Sequence, residues 1–343
     1  MAGPESIPFQ QVVEALLNPD TPLHPRFLFR LSDLEPSELA VLEKAWPGVP
    51  VWRRQALLED IEELGEKDYV LSFEAIGRFA LRDSDPIVRK FAVRTLWEYE
   101  SDDLIPIYLD MVETDDDTEV RAAVATALGK YIYLGEIEEL SVKKLRMVEE
   151  KLLELATSAD KTLVRRRALE ALGFSSRDEV PPLIEQAYNS RHVDWLVSAL
   201  FAMGRSANQR WNGMVLAKLE SDDPEVRMEA VRAAGELEAQ EAVPRLIELL
   251  EDVDEDVRLA AIWSLSQIGG EGVRELLEEQ YDEAEDEDEA QLIESALDNL
   301  DFTEDVQLFS LMDVSESQDL LEDDYADVDD EEDSDATTKG NGI

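Results

Sequence analysis

One arrangement of apolar and polar positions returns along most of this chain. An apolar residue, usually Val, is followed by Arg, by small or apolar residues four and five places later, by another at eight and often by Gly at nine. It reads Val88-Arg89 with Ala92, Val93 and Leu96; Val120-Arg121 with Val124, Ala125, Leu128 and Gly129; and Val164-Arg165 with Ala168, Leu169, Leu172 and Gly173. Val226-Arg227 and Val257-Arg258 open two further copies, and weaker ones start at Trp52-Arg53 and at Trp195-Leu196, where the Arg is missing. A degenerate copy lies between Glu289 and Leu300. Offsets of four, five and eight share one helical face, so each copy predicts an amphipathic helix.

Successive starts at 52, 88, 120, 164, 195, 226, 257 and about 289 give a period near 31, with an insertion around residues 131–145. A second apolar segment precedes most copies, at Leu104 to Met111, Pro182 to Tyr188 and Pro244 to Leu250. Each unit is therefore two antiparallel helices with too little core to stand alone, and stacking the units buries a continuous one. The turn between the helices carries Asp85, Asp117, Asp223 or Asp254 three residues before the Val, placed to cap the helix, with Pro86 and Pro224 at the first helical position.

The period, the Asp-x-x-Val-Arg turn and the Ala-Val-x-Ala-Leu-Gly helix resemble HEAT repeats, in particular the short bacterial kind also found in phycobilisome lyase subunits. The resemblance implies an all-α fold: a right-handed α-solenoid of about eight helix pairs over residues 36–300, with an N-terminal helical cap at 1–35 and an acidic tail at 301–343. Within the cap, Phe9 to Leu17 reads as a short helix, and the Pro-rich segment from Asn18 to Pro25 separates it from the apolar piece Phe27 to Leu34. The first helix pair is expected at 36–46 and 51–64.

Charge alters this picture mainly through where it sits. The chain holds 81 Asp and Glu against 32 Lys and Arg, a net −49, of which residues 282–343 carry −24. No basic residue lies between Arg274 and Lys339, and self-repulsion predicts disorder over 301–343. Such a chain repels a phosphate backbone at long range, so nucleic acid is not an expected partner, and a HEAT-like DNA glycosylase, which needs a basic groove, is disfavoured. There is no Cys, hence no disulfide and no thiolate. With no leader and no apolar run approaching the roughly 20 residues a span requires, a cytoplasmic monomer away from membranes is expected.

Candidate chemistry is sparse. His24 lies among prolines, and His192-Val-Asp194 opens a helix without a nucleophile motif beside it. Deoxyhypusine hydroxylase also resembles HEAT arrays, but its metal site uses His-Glu pairs and neither His here precedes Glu. No phosphate loop, dinucleotide fingerprint or HExxH occurs, Gly269-Gly-Glu-Gly272 reads as a helix stop, and the stretch Asp323 to Asp335 lacks the Gly a calcium loop requires. No catalytic residue, metal or cofactor is expected.

What remains informative is the second helix of each repeat, whose free side lines the concave face in arrays of this type. Offsets two, three and six from the repeat's Val nominate Arg54, Lys90, Arg94, Arg166, Arg167, Phe201, Met228, Arg232, Leu259 and Trp263 as partner-binding residues. They form a basic N-terminal part and a more apolar part toward the C-terminus. The repeating arginines Arg53, Arg89, Arg121, Arg165, Arg227 and Arg258, with Asp85, Asp117, Asp223 and Asp254, are expected to form a structural ladder joining adjacent units.

These features point to a non-enzymatic interaction scaffold or assembly factor, holding a protein or peptide that carries basic segments or an acidic and apolar motif. The family resemblance leaves a bilin lyase-like chaperone as the alternative, recognisable by a HEAT partner subunit and a coloured adduct with bilin and apoprotein. The tail mixes acids with Leu320, Leu321, Tyr325 and Val328, a composition suited to competing for a basic and apolar face. Ending the chain near residue 300 should then raise partner affinity in pull-downs, and unchanged affinity would exclude such competition.

Overall fold

The computed structural model describes residues 7–284 and 287–303; the tail expected to be disordered lies outside them from residue 304 onward. The described residues contain helices and turns, divided into two compact units between Lys218 and Leu219. In the first unit, α1 (Phe9–Leu17) and two short turns lead into α2 (Pro36–Ala45) and α3 (Val51–Lys67). Then follow α4 (Glu74–Ala80), α5 (Pro86–Thr95), α6 (Ile105–Thr114), α7 (Thr118–Glu136), α8 (Val142–Thr157), α9 (Thr162–Leu172), α10 (Val180–Tyr188), α11 (Val193–Arg205) and α12 (Asn212–Leu216). The second unit holds α13 (Pro224–Glu236), α14 (Val243–Leu249), α15 (Glu255–Ile268), α16 (Val273–Glu283) and a final helical run, α17, over residues 287–303.

Within the first unit the repeat-bearing helices α3, α5, α7, α9 and α11 pack side by side in chain order, and each also packs on the helix before it, as α4 on α5, α6 on α7, α8 on α9 and α10 on α11. In the second unit α13 packs on α15, and α14 on α15. This is the stacked helix-pair order of an α-solenoid. The apolar positions of the repeat form the core: Val88, Ala92, Val93 and Leu96, and their counterparts opened by Val120, Val164, Val226 and Val257, are at most 2% exposed. Their burial removes from water the face that no single pair could cover. The insertion is absorbed into helix length, because α7 and α8 run 19 and 16 residues where α5 and α9 run 10 and 11.

Asp85, Asp117, Asp223 and Asp254 cap α5, α7, α13 and α15, accepting from backbone N–H groups of the first turn, such as Ile87 and Val88 on Asp85. The arginine rungs use a different acid. Arg89 donates twice to Asp115 (2.7 and 2.8 Å), Arg121 twice to Asp160 (3.2 and 2.8 Å) and Arg227 twice to Asp252 (3.0 and 2.8 Å), each in the turn of the following repeat. Each arginine also donates Nη1 to the carbonyl six residues behind it: Asp83, Asp115 and Ser221 in turn. Arg258 makes that backward bond to Asp252. Asp115 and Asp252 in turn accept from the N–H of the capping residues Asp117 and Asp254. One planar cation thus fixes its own turn and the next, in the bidentate geometry that suits guanidinium and carboxylate.

At the N-terminal end the ladder departs from expectation by one position. Leu57, Leu58 and Ile61 supply the buried set of α3, so Arg54 takes the rung and pairs with buried Asp83, which also accepts from the Trp46 indole. Arg53 instead reaches back, donating Nη2 to the carbonyls of Asn18 (2.6 Å) and Thr21 (2.7 Å) and tying the segment after α1 onto α3. Arg165 also has no rung; its Nε donates to the Ala156 carbonyl (3.2 Å) and its guanidinium lies over Trp195.

Arg227 holds the Asp252 carboxyl below its ordinary value of 3.8 through the side-chain hydrogen bonds. A depressed folded value means stability that is complete above the unfolded pKa and lost as pH falls through the folded one. Asp252→Ala should therefore cost about 2–3 kcal/mol near neutrality, and the difference from wild type should narrow below about pH 4. Urea unfolding at pH 7 and pH 3 measures both.

Candidate interaction groove

The residues nominated for the free face are not a bare basic surface, because most of their cations are already paired. Arg54 is buried against Asp83 and leaves that face altogether, a consequence of the register of α3. Arg94 is exposed at its tip and pairs with buried Glu62 of α3. Arg166 donates Nε to Ser198 (2.9 Å) and lies 3.2 Å from Asp194, both on α11. Arg167 pairs with Glu170, which also accepts from the Ser198 hydroxyl (2.6 Å). Lys90 lies over Phe91, 5.8 Å from the ring centroid, and Phe201 sits half-buried under Arg205 at 5.1 Å.

In the second unit Met228 and Arg232 stand on α13 and Leu259 and Trp263 on α15; Arg232 is exposed and the other three are half-buried. Several neighbouring positions from the same offsets, including Leu58, Ala122, Glu229 and Ala260, are buried. A helix flanked on both sides by other second helices exposes a narrower stripe than three offsets allow.

Beside Arg94 the first unit opens into a groove of about 690 Å³ formed by α3, the segment after it, α5, the turn after α5 and α7, with Arg167 of α9 at its edge. Tyr69 and Trp97 stand on its rim, 85% and 40% exposed. Its floor includes Phe73, whose backbone N–H donates to the Tyr99 hydroxyl (2.7 Å). The lining carries Glu62, Glu66 and Glu98 against Arg94 and Arg167. Burial pushes the Glu62 carboxyl above its ordinary range, and the Arg94 cation opposes the shift.

The model of HEAT repeats matches residues 74–147 and 214–298. The chain carries HEAT repeats in these two segments. Similar solved structures include YibA of Escherichia coli, 18% identical over 83% of this chain and 98% of that one, with a TM-score of 0.42. The complex of CpcE and CpcF of phycocyanin lyase from Nostoc is 19% identical over 66% of this chain and 94% of that chain, with a TM-score of 0.45. Human deoxyhypusine hydroxylase in complex with glycerol is 18% identical over 76% and 95%, with a TM-score of 0.33. No curated protein matches the chain.

The HEAT repeat also explains why the groove opens where it does. Its ninth position is Gly129, Gly173 and Gly235 in other copies, and there the next second helix comes close: a Cβ on Gly173 would lie 2.8 Å from the Ala202 carbonyl oxygen, and one on Gly129 would lie 3.1 Å from the Ala171 Cβ. After Val88 the ninth position is Trp97. An indole cannot enter so close a contact, and it turns to line the groove instead. Tyr69, Trp97 and Tyr99 escaped the offset reading because they lie in turns outside the helical face. The broken glycine pattern at Trp97 was the signal that would have found them.

Removing the opposing cation by Arg94→Gln should raise the Glu62 carboxyl further. Carboxyl NMR titration of the two proteins reads the direction, and an unchanged Glu62 value would show that the ion pair does not hold in solution.

Proposed function

We propose that this HEAT-repeat protein is a non-enzymatic interaction scaffold, and that the groove beside Trp97 is where it anchors a protein or peptide partner. The observation that carries this reading is the replacement of the repeat's close-packing glycine by Trp97, which leaves an aromatic-rimmed cleft in an otherwise tightly stacked layer. Exposed apolar surface of this kind marks binding sites, and Trp and Tyr are favoured anchors because they bury much area at little conformational cost. Arg94 and Arg167 are already satisfied by Glu62 and Glu170, so Glu66 and Glu98 set the remaining charge of the cleft. A partner segment that carries apolar and basic side chains fits this lining. No helix among the described residues is long and apolar enough to cross a membrane.

Affinity capture from the native host with wild-type and Trp97→Ala baits tests the assignment. A hot-spot Trp contributes about 2 kcal/mol or more, so the partner's affinity should fall roughly thirtyfold. Tyr281→Ala, an exposed aromatic of the second unit, should leave it unchanged. Equal recovery by wild type and Trp97→Ala would remove the groove as the anchoring site.

A further inference from the structure

The ladder is incomplete at one arginine. Arg89, Arg121 and Arg227 each hold two oxygens of an aspartate in the next turn. In the turn after Arg165 the place of Asp115 and Asp252 is taken by Ser190, whose hydroxyl accepts the His192 N–H at 3.2 Å, as Asp115 and Asp252 accept from their own capping residues. The serine keeps the local turn bond and lacks the carboxylate. One repeat later both members are absent together, since Leu196 stands in the arginine position and Ser221 in the acid position. Arg258, the last of the series, precedes a turn that lies partly outside the described residues.

Arg165 is therefore a cation kept without its partner. Among the described residues no carboxylate pairs with it and neither Nη atom has an acceptor; only Nε is bonded, to the Ala156 carbonyl. Its guanidinium lies over the Trp195 ring, 5.3 Å from the centroid. A cavity of about 290 Å³ opens beside it, with Leu169 and Leu183 as apolar walls and Gln186 and Ser190 as polar ones. A guanidinium held by its Nε–H and over an indole keeps its two Nη groups available for a carboxylate, and part of its side-chain freedom is already lost before binding.

We propose that this cavity binds a glutamate side chain of a partner polypeptide, which supplies the missing acid in trans: its carboxylate meets the two Arg165 Nη groups and its methylenes lie between Leu169 and Leu183. The site is separate from the groove at Trp97 and stands or falls independently of it. It assigns a role to the one arginine of the first unit's ladder, after the displaced first position, that the packing leaves without an acid.

The probe is N-acetyl-glutamate amide, with N-acetyl-glutamine amide as the uncharged control, added to the full chain while the arginine Nε–H NMR signals are followed. The Arg165 signal should move saturably with the glutamate probe and not with the control, while the Arg89 signal stays in place. Ser190→Asp supplies the acid internally; it should shift the Arg165 signal in advance, abolish the titration and raise the melting temperature by about 2–4 °C. Arg165→Gln should remove the titration and lower the melting temperature less than Arg89→Gln does. An Arg165 signal indifferent to the probe, or one unmoved by Ser190→Asp, overturns the proposal. A full chain with every Asp and Glu of residues 313–335 changed to Asn or Gln serves as the last arm. If that change alone moves the Arg165 signal, the occupant is the chain's own C-terminal stretch and the assignment to a partner is wrong.

Discussion

The structure depends on a guanidinium that holds two turns at once. In the rungs at Arg89, Arg121 and Arg227 the backward bond to a carbonyl and the forward pair to an aspartate share one rigid plane, so the position of one turn dictates the position of the next. Apolar burial drives the helices together but is indifferent to modest sliding along their axes. The rung fixes the register. Lysine at these positions would keep the charge and lose the geometry, since a point cation cannot define a plane between two acceptors.

Spacing within the layer is set by a second device, the small residue at the end of each repeat helix. Gly173 admits the neighbouring helix to a distance no side chain would allow, and Gly129 to one at which a side chain would force its neighbour aside. Trp97 withdraws that permission at one place, and a groove follows. Rungs and glycines together make the stack regular, so function is expected at the irregularities, where a local rule is broken without loss of the fold.

Much of the architecture was legible because it repeats. The offsets that predicted buried faces found the residues at most 2% exposed, and α1 has the bounds read from the sequence. The capping acids were legible too, since their chemistry is local. The acid that pairs with each arginine was not, because Asp115 and Asp252 stand two residues from the more conspicuous capping aspartates and only the fold brings them to the preceding repeat. The register slip at Arg53 and Arg54 has a similar cause: Trp52 resembles the repeat's leading apolar residue, but it is 52% exposed and the buried set begins one place later. The free face was read as basic because the carboxylates that neutralise it, Glu62 and Asp194, lie at positions the offsets did not sample.

Arg53 holds the chain after α1 by the carbonyls of Asn18 and Thr21 alone, and a carbonyl is the same whichever side chain accompanies it. The attachment therefore places no demand on the identity of residues 18 and 21, only on the path of their backbone. The demand of this particular bond on side-chain identity falls on Arg53 of α3. Residues 18 and 21 can therefore exchange their side chains while Arg53 is retained, whereas the buried face of α1, with Val12, Val13 and Leu16, remains bound to its apolar character.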